Sequence, residues 1–399
     1  MTRVVVIGAG PAGARCAERL AHGGAMVTLV GEEPGLPYDR VALSKYLAGD
    51  VQEHDLITYH GAELAAAGIM HIHSVRATEI DRVAQAITLS DGKVLHYDSA
   101  VLATGSDPFR LPLPGADLPG VLMYRTLADV QAMLHAAAAG GRAIVIGGGL
   151  LGLEAAVGLT RRGMDVTVLH AVDRLMERQL DTEAAARLRA HLQRTGIVSI
   201  LEARSVAVTG TERATGIALS DGTQLAADLV VMAVGIRPRA ALAREAGLKV
   251  ARGIVVDATM RSSDPHVYAV GECAEVDGIC CGLVAPAFAQ AETAARVILG
   301  EDAVYVVESD ATVLKVAGAP VWSAGDIDAS DADSIVLDEP DGTYRRLLLR
   351  DDRLVGAILW GDTDDAAFYR NLIRRNHDVS LLRSELAFGA AFAPPELRS

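Results

Sequence analysis

Two six-residue stretches carry glycines at a spacing that does chemistry: Gly8-Ala9-Gly10-Pro11-Ala12-Gly13 and Gly147-Gly148-Gly149-Leu150-Leu151-Gly152. In such a GxGxxG the first glycine makes a tight turn, the second lets the backbone approach a pyrophosphate, and the third lets a helix close on a strand. The pyrophosphate then lies on the helix N-terminus, where free N–H groups and the helix dipole favour negative charge. An acid about 20 residues further on accepts from the ribose hydroxyls. Glu32 holds that place after the first turn and His170 after the second. One GxGxxG is a weak signal because glycine turns are common. Two in one chain point to two dinucleotides, one resident and one exchanged.

The elements around both motifs have the required order. Val4 to Ile7 form an apolar run that enters the first turn; Ala14, Ala17, Leu20 and Ala21 then repeat at helical spacing, and Val27 to Val30 form a second apolar run. Arg142 to His170 repeats strand, glycine turn, helix and strand. Each half closes on a similar segment, Ala103-Thr104-Gly105 before Pro108 and Ala233-Val234-Gly235 before Pro238. Polar hairpins turn at Asp91-Gly92 and Asp221-Gly222. A further buried strand ends in Gly271-Glu272, and Pro286 with Ala287 opens a helix running to about Leu299.

Residues 304–399 read differently: short strands (Thr312 to Val316, Ser334 to Leu337, Tyr344 to Leu349, Leu354 to Leu359), turns at Asp341-Gly342 and Asp351-Asp352, then a helix over Asp364 to Arg375. Seven acids lie between Asp326 and Asp341 without a base, and Arg370, Arg374 and Arg375 mark the helix. Charge runs of this kind are usually solvated faces. Trp322 and Trp360 read as core or interface residues. The expected fold is α/β: two Rossmann-like dinucleotide-binding domains plus a C-terminal α+β domain with an antiparallel sheet. The boundaries are 1–112 with 242–303, then 113–241, then 304–399.

A net charge of −14 over 399 residues argues against a nucleic-acid partner. No apolar run has the length of a membrane span, and Val4 to Ile7 enters a glycine turn instead of a signal-peptide core. Cys16, Cys273, Cys280 and Cys281 show no spacing for a disulfide framework or a metal site. The expected setting is a reducing cytoplasm.

Together these residues resemble the two-dinucleotide flavoprotein reductases of the glutathione-reductase-like superfamily. Within it, PYDRVALSKYLAG, LATGSDP, MERQLD, VYAVGEC, GLVAP and AILWGD are similar to the FAD portion of assimilatory NAD(P)H-nitrite reductase large subunits. Ferredoxin and rubredoxin reductases are slightly more distant. The resemblance implies FAD on the first motif, with Arg40, Lys45, Thr104, Gly105, Glu272 and Pro286 along it. It implies NAD(P)H on the second, served by Gly147, Gly149, Gly152 and Glu154. The disulfide reductases of this superfamily carry redox cysteines in the segment held here by Leu43-Ser44-Lys45. No dithiol relay is therefore expected.

The functional expectation is an oxidoreductase that takes hydride from NAD(P)H and passes electrons through FAD to an iron–sulfur or related redox partner in nitrite or nitrate assimilation. A ferredoxin or rubredoxin reductase for an oxygenase is one alternative, and an NAD(P)H-sensing, flavin-bound interaction protein is another. Two finer expectations follow. Lys45 and Glu154 form a salt bridge beside the flavin, as the resemblance implies. Nucleotide discrimination is weak and leans to NADH, because His170 neither repels a 2′-phosphate nor binds it as an arginine would, although Arg174 is near enough to reach.

Overall fold

In the computed structural model, which describes residues 1–307, 318–340 and 342–397, two five-stranded parallel sheets dominate. The first is ordered Val267–Ala269, Ser99–Leu102, Arg3–Ile7, Met26–Val30, Ile69–Ile72. The second is ordered Val198–Ile200, Asp165–Leu169, Arg142–Ile146, Leu229–Met232, Val121–Met123. Each glycine turn leaves the carboxyl end of the central strand. That is the point in a doubly wound sheet where a ligand crevice opens. The central strands are buried beyond their first residue, which is why they read as unbroken apolar runs and not as alternation.

The helices that follow are Pro11–His22 and Leu150–Arg161. The chain passes between the two units twice, and the crossings pair with each other as antiparallel strands Ser106–Pro108 and Ile236–Pro238. Arg239, just past the second crossing, donates its N–H to the Gly105 carbonyl, and its own carbonyl accepts the Thr104 hydroxyl at 2.6 Å.

The C-terminal unit is a four-stranded antiparallel sheet ordered Val321–Gly325, Arg353–Trp360, Tyr344–Arg350, Asp333–Asp338, with helix Ala366–Arg375 packed on it. Thr312 to Val316 and the Asp341 corner lie outside the described residues. Trp322 and Trp360 are both buried. Among the described acids of 326–341, Asp326 and Asp331 pair with Arg350, Asp328 with Arg174, Asp333 with Arg383 and Asp338 with Arg187. Asp181 caps the helix Thr182–Arg194 and also accepts the Tyr344 hydroxyl at 2.6 Å, so the C-terminal sheet docks on a helix cap of the second unit.

Candidate functional site

Both glycine turns have the same backbone. Gly8 and Gly147 take φ of +111° and +121°, a region that only glycine occupies readily. A Cβ at Gly8 would overlap the Ala103 carbonyl, and one at Gly147 the Ala233 carbonyl. A Cβ at Gly13 would overlap the Gly8 carbonyl, and one at Gly152 the Gly147 carbonyl. The middle glycines differ: past Gly10 lies only the Arg40 guanidinium, 3.5 Å from where a Cβ would be, and past Gly149 there is open space.

Gly10 and Gly149 are the N-caps of their helices, and neither helix has a side-chain cap. Thr126 and Asp181, by contrast, cap their helices with side-chain oxygens. The uncapped N–H groups face a continuous cleft of about 2880 Å³ that runs from one turn to the other. Two orphaned helix N-termini on one cleft fit two pyrophosphates.

The cleft wall brings together Gly8, Gly10, Pro11, Ala12, Glu32, Arg40, Ala103, Thr104, Gly105, Gly271, Glu272 and Ala287 on one side. On the other lie Gly147, Gly149, Leu150, Leu151, Glu154, His170 and Gly235. Gly13 and Gly152 are buried behind the wall, each against the carbonyl of its own turn. Pro286 is the third residue of helix Val284–Ile298 and does not reach the cleft, although its neighbours Ala285 and Ala287 do.

Ion pairs frame the first turn. Arg40 pairs with Glu33, which also accepts the Tyr38 hydroxyl at 2.7 Å. Arg125 pairs with Glu272, and Ser106 donates to the same carboxylate at 2.8 Å. Arg239 pairs with Glu32 at 2.8 Å and with Asp107. Arg125, Arg239 and Glu33 do not stand out in the sequence. The readable signal for Arg125 is its place between strand Val121–Met123 and the capping box Thr126-x-x-Asp129.

The expected Lys45–Glu154 salt bridge is absent. Lys45 is exposed and off the cleft wall, and among the described residues no ion pair joins it to Glu154, whose partner is Ser44. Helix geometry explains this. The short helix Leu43–Ala48 packs Leu47 into a notch at Gly158, where a Cβ would lie 2.6 Å from the leucine. Gly158 and Glu154 share a face at i, i+4, and so do Leu47 and Ser44 at i, i+3. The contact therefore presents Ser44 to Glu154, and Lys45 projects from the other side. Glu154 is bonded by Ser44 and lies beside the buried Tyr124. It lies in the second turn of its helix. Burial pushes its carboxyl up to about 7, and the Ser44 hydrogen bond opposes that rise.

At the second strand end, His170 is held from both sides. Its Nδ1 accepts the Gly148 N–H at 3.1 Å, and its Nε2 lies 3.1 Å from Glu177. Arg174 turns away, bonding the carbonyls of Leu180 and Glu177.

Among the described residues none of the four cysteines forms a disulfide. Cys16 is wholly buried in the first helix, and burial pushes its thiol up to about 12. Cys280 and Cys281 reach the cleft, and burial raises the Cys280 thiol as well. Thiols raised in this way are poor nucleophiles at neutral pH.

Residues 2–297 match the pyridine nucleotide-disulphide oxidoreductase family, and residues 311–377 match the rubredoxin NAD+ reductase C-terminal domain. The chain is 41% identical over 384 residues to the nitrite reductase [NAD(P)H] of Bacillus subtilis, covering 95% of this chain and 48% of that protein. It is 39% identical over 390 residues to the assimilatory nitrate reductase electron transfer subunit of the same organism, covering 96% and 51%. The chain thus spans about half the length of these curated relatives. Among solved structures, the ferredoxin reductase for the CYP199A2 system from Rhodopseudomonas palustris superimposes with a TM-score of 0.91 at 27% identity, covering 100% of both chains. No helix among the described residues is long and apolar enough to cross a membrane.

Proposed function

Because the chain belongs to the pyridine nucleotide-disulphide oxidoreductase family, we propose that it is an FAD-dependent NAD(P)H oxidoreductase that delivers electrons to an iron–sulfur or related redox protein in nitrite or nitrate assimilation. The observation that carries this reading is the single cleft joining two uncapped glycine-turn helices, with Ser44 and Lys45 where a disulfide reductase holds cysteine. Bound FAD supplies the conversion between two-electron hydride chemistry and one-electron transfer.

In this proposal Gly8 to Gly13, Thr104 and Gly105 admit FAD closely, Arg40 and Arg125 supply positive charge to its phosphates, and Glu32 and Glu272 accept from its hydroxyls. Gly147 to Gly152 and Gly235 admit NAD(P)H. Glu154 holds its proton near neutrality at the junction of the two sites. The division into 1–112 with 242–303, 113–241 and 304–399 belongs to the same proposal, as does a cytoplasmic setting. The acceptor docks near the last helix, where Arg370 and Arg374 are exposed.

A ferredoxin or rubredoxin reductase is the second reading. It is favoured by the end-to-end superposition on the Rhodopseudomonas enzyme and by the match of residues 311–377.

Anaerobic stopped-flow on the FAD-loaded protein tests the proposal. NADH or NADPH should bleach the flavin absorbance, and ferricyanide should restore it quickly while glutathione disulfide does so hardly at all. A better rate with the disulfide rejects the electron-transfer reading. A reduced species that no one-electron acceptor reoxidises favours the sensing alternative.

A further inference from the structure

We propose that Glu177, positioned by His170, selects NADH over NADPH at the second glycine turn; the inference rests on the reading of that turn as the NAD(P)H site. In a dinucleotide fold the residue ending the second strand meets the adenosine ribose, where an acid binds the 2′-hydroxyl and repels a 2′-phosphate. Here the strand Asp165–Leu169 ends in a histidine. Because His170 Nδ1 accepts the Gly148 N–H, the ring proton resides on Nε2, and that proton is donated to Glu177. The ring thus extends the strand end and holds a carboxylate at its tip.

The loop that bears the acid is fixed by the same peptide. Met176, buried and at φ +55°, donates its N–H to the Gly148 carbonyl at 3.0 Å. A Cβ at Gly148 would stand 2.6 Å from Leu175 and 2.8 Å from the His170 ring, so only glycine lets both pack there. Leu175, also buried, anchors the loop a second time. Gly148 therefore holds the ring through its N–H and the loop through its carbonyl. Glu177 has little freedom to leave the cleft wall, of which it and His170 form part.

The opposing charges are weaker. Arg174 is taken up by the carbonyls of Leu180 and Glu177 and by the carboxylates of Asp173 and Asp328. Arg178 and Arg204 do line the cleft, but both are exposed. Water and salt screen such exposed guanidinium groups more than a carboxylate fixed by a half-buried ring.

The test uses the FAD-loaded full chain in two measurements: calorimetric titration with NAD+ and NADP+, and kcat/KM for NADH and NADPH with ferricyanide as acceptor. NAD+ should bind about tenfold more tightly than NADP+ or better, and kcat/KM should favour NADH by about thirtyfold or more. Glu177→Gln should cut both ratios by about fivefold or more, through lower Kd and KM for the phosphorylated nucleotide and not through kcat. His170→Ala should move both ratios in the same direction by freeing the acid. Arg204→Gln should weaken NADP+ binding further. A wild-type ratio near one, a preference for NADPH, or unchanged ratios in Glu177→Gln would overturn the assignment and leave the reductase reading standing. Binding of neither nucleotide would remove both.

Discussion

At the first turn Gly8 sits against the Ala103 carbonyl and Gly13 against the Gly8 carbonyl; at the second, Gly147 sits against Ala233 and Gly152 against Gly147. The backbones are near copies, and their surroundings are not. Three ion pairs drawn from separate segments close around the first: Arg40 with Glu33, Arg125 with Glu272, and Arg239 with Glu32. The second is bordered by the histidine–glutamate pair and by half-exposed Leu151, Val172 and Val206. The glycines determine that a dinucleotide fits. The side chains around them set the two turns apart, with paired charges at the first and a histidine–glutamate pair beside apolar edges at the second.

The sharpest way to break this comparison is to fill the same position in both turns. Gly13→Ala and Gly152→Ala each force a Cβ into a carbonyl, at a cost of about 2–3 kcal/mol in local stability. Gly13→Ala should purify without flavin colour. Gly152→Ala should keep its FAD and raise the NADH KM by about a hundredfold, or 2.7 kcal/mol. If both variants lost flavin equally, the two sites would not be separable.

Next in size is the frame around the first turn. Arg125→Gln leaves the part-buried Glu272 without its cation, a loss of about 2–3 kcal/mol. The FAD Kd should rise by about tenfold or more, while the NADH KM of the FAD-saturated enzyme stays near wild type. An unchanged FAD Kd would show that the ion pairs do not retain the flavin.

Glu154, between the sites, gives a smaller effect with a definite pH dependence. Its folded pKa of about 7 lies above the unfolded value, so its contribution to stability is fully present below about pH 4.5 and is lost as pH rises through 7. Glu154→Gln should therefore be more stable than wild type at pH 8 by about 1–2 kcal/mol, and equal to it below about pH 4.5. Urea midpoints at the two pH values measure the difference; a less stable variant at pH 8 would contradict the burial argument.

The smallest change separates neighbours. Ser44→Ala removes the hydrogen bond that opposes the rise, so the Glu154 titration should move up by a fraction of a unit. Lys45→Met should leave it in place. A larger shift from Lys45→Met than from Ser44→Ala would restore the ion pair expected from the sequence.

What was legible in the chain follows from which interactions are local. Glycine spacing, apolar runs and the paired segments at Gly105 and Gly235 are written in consecutive residues, and they locate both turns and both central strands. The C-terminal strands from 333 onward were readable from the alternation of Asp333–Asp338 and from the turn residues that separate the strands after it, but Val321–Gly325, buried at four of its five residues, was missed. Ser44 displaced Lys45 through a helix–helix notch that depends on Gly158, more than 100 residues away in sequence. Arg125 and Arg239 act across comparable separations, and their roles depend on how the chain crosses between units. Glu177 is only seven residues from His170, yet no pattern at that spacing signals a bond made by a loop folding back on Gly148.

The strand order of the two sheets also sets an order of assembly during synthesis. The second sheet is complete once the chain has been made to Met232, because all its strands lie between residues 121 and 232. The first sheet begins at Arg3 but pairs Ser99–Leu102 with Val267–Ala269, so it waits for residue 269. A growing chain that folds each sheet as its strands emerge finishes the later nucleotide site before the earlier one. For that interval the edge of Ser99–Leu102 is an unpaired apolar strand, Ala100 to Leu102, on an otherwise formed sheet. Until Val267–Ala269 arrives, that edge is open to pairing with another chain.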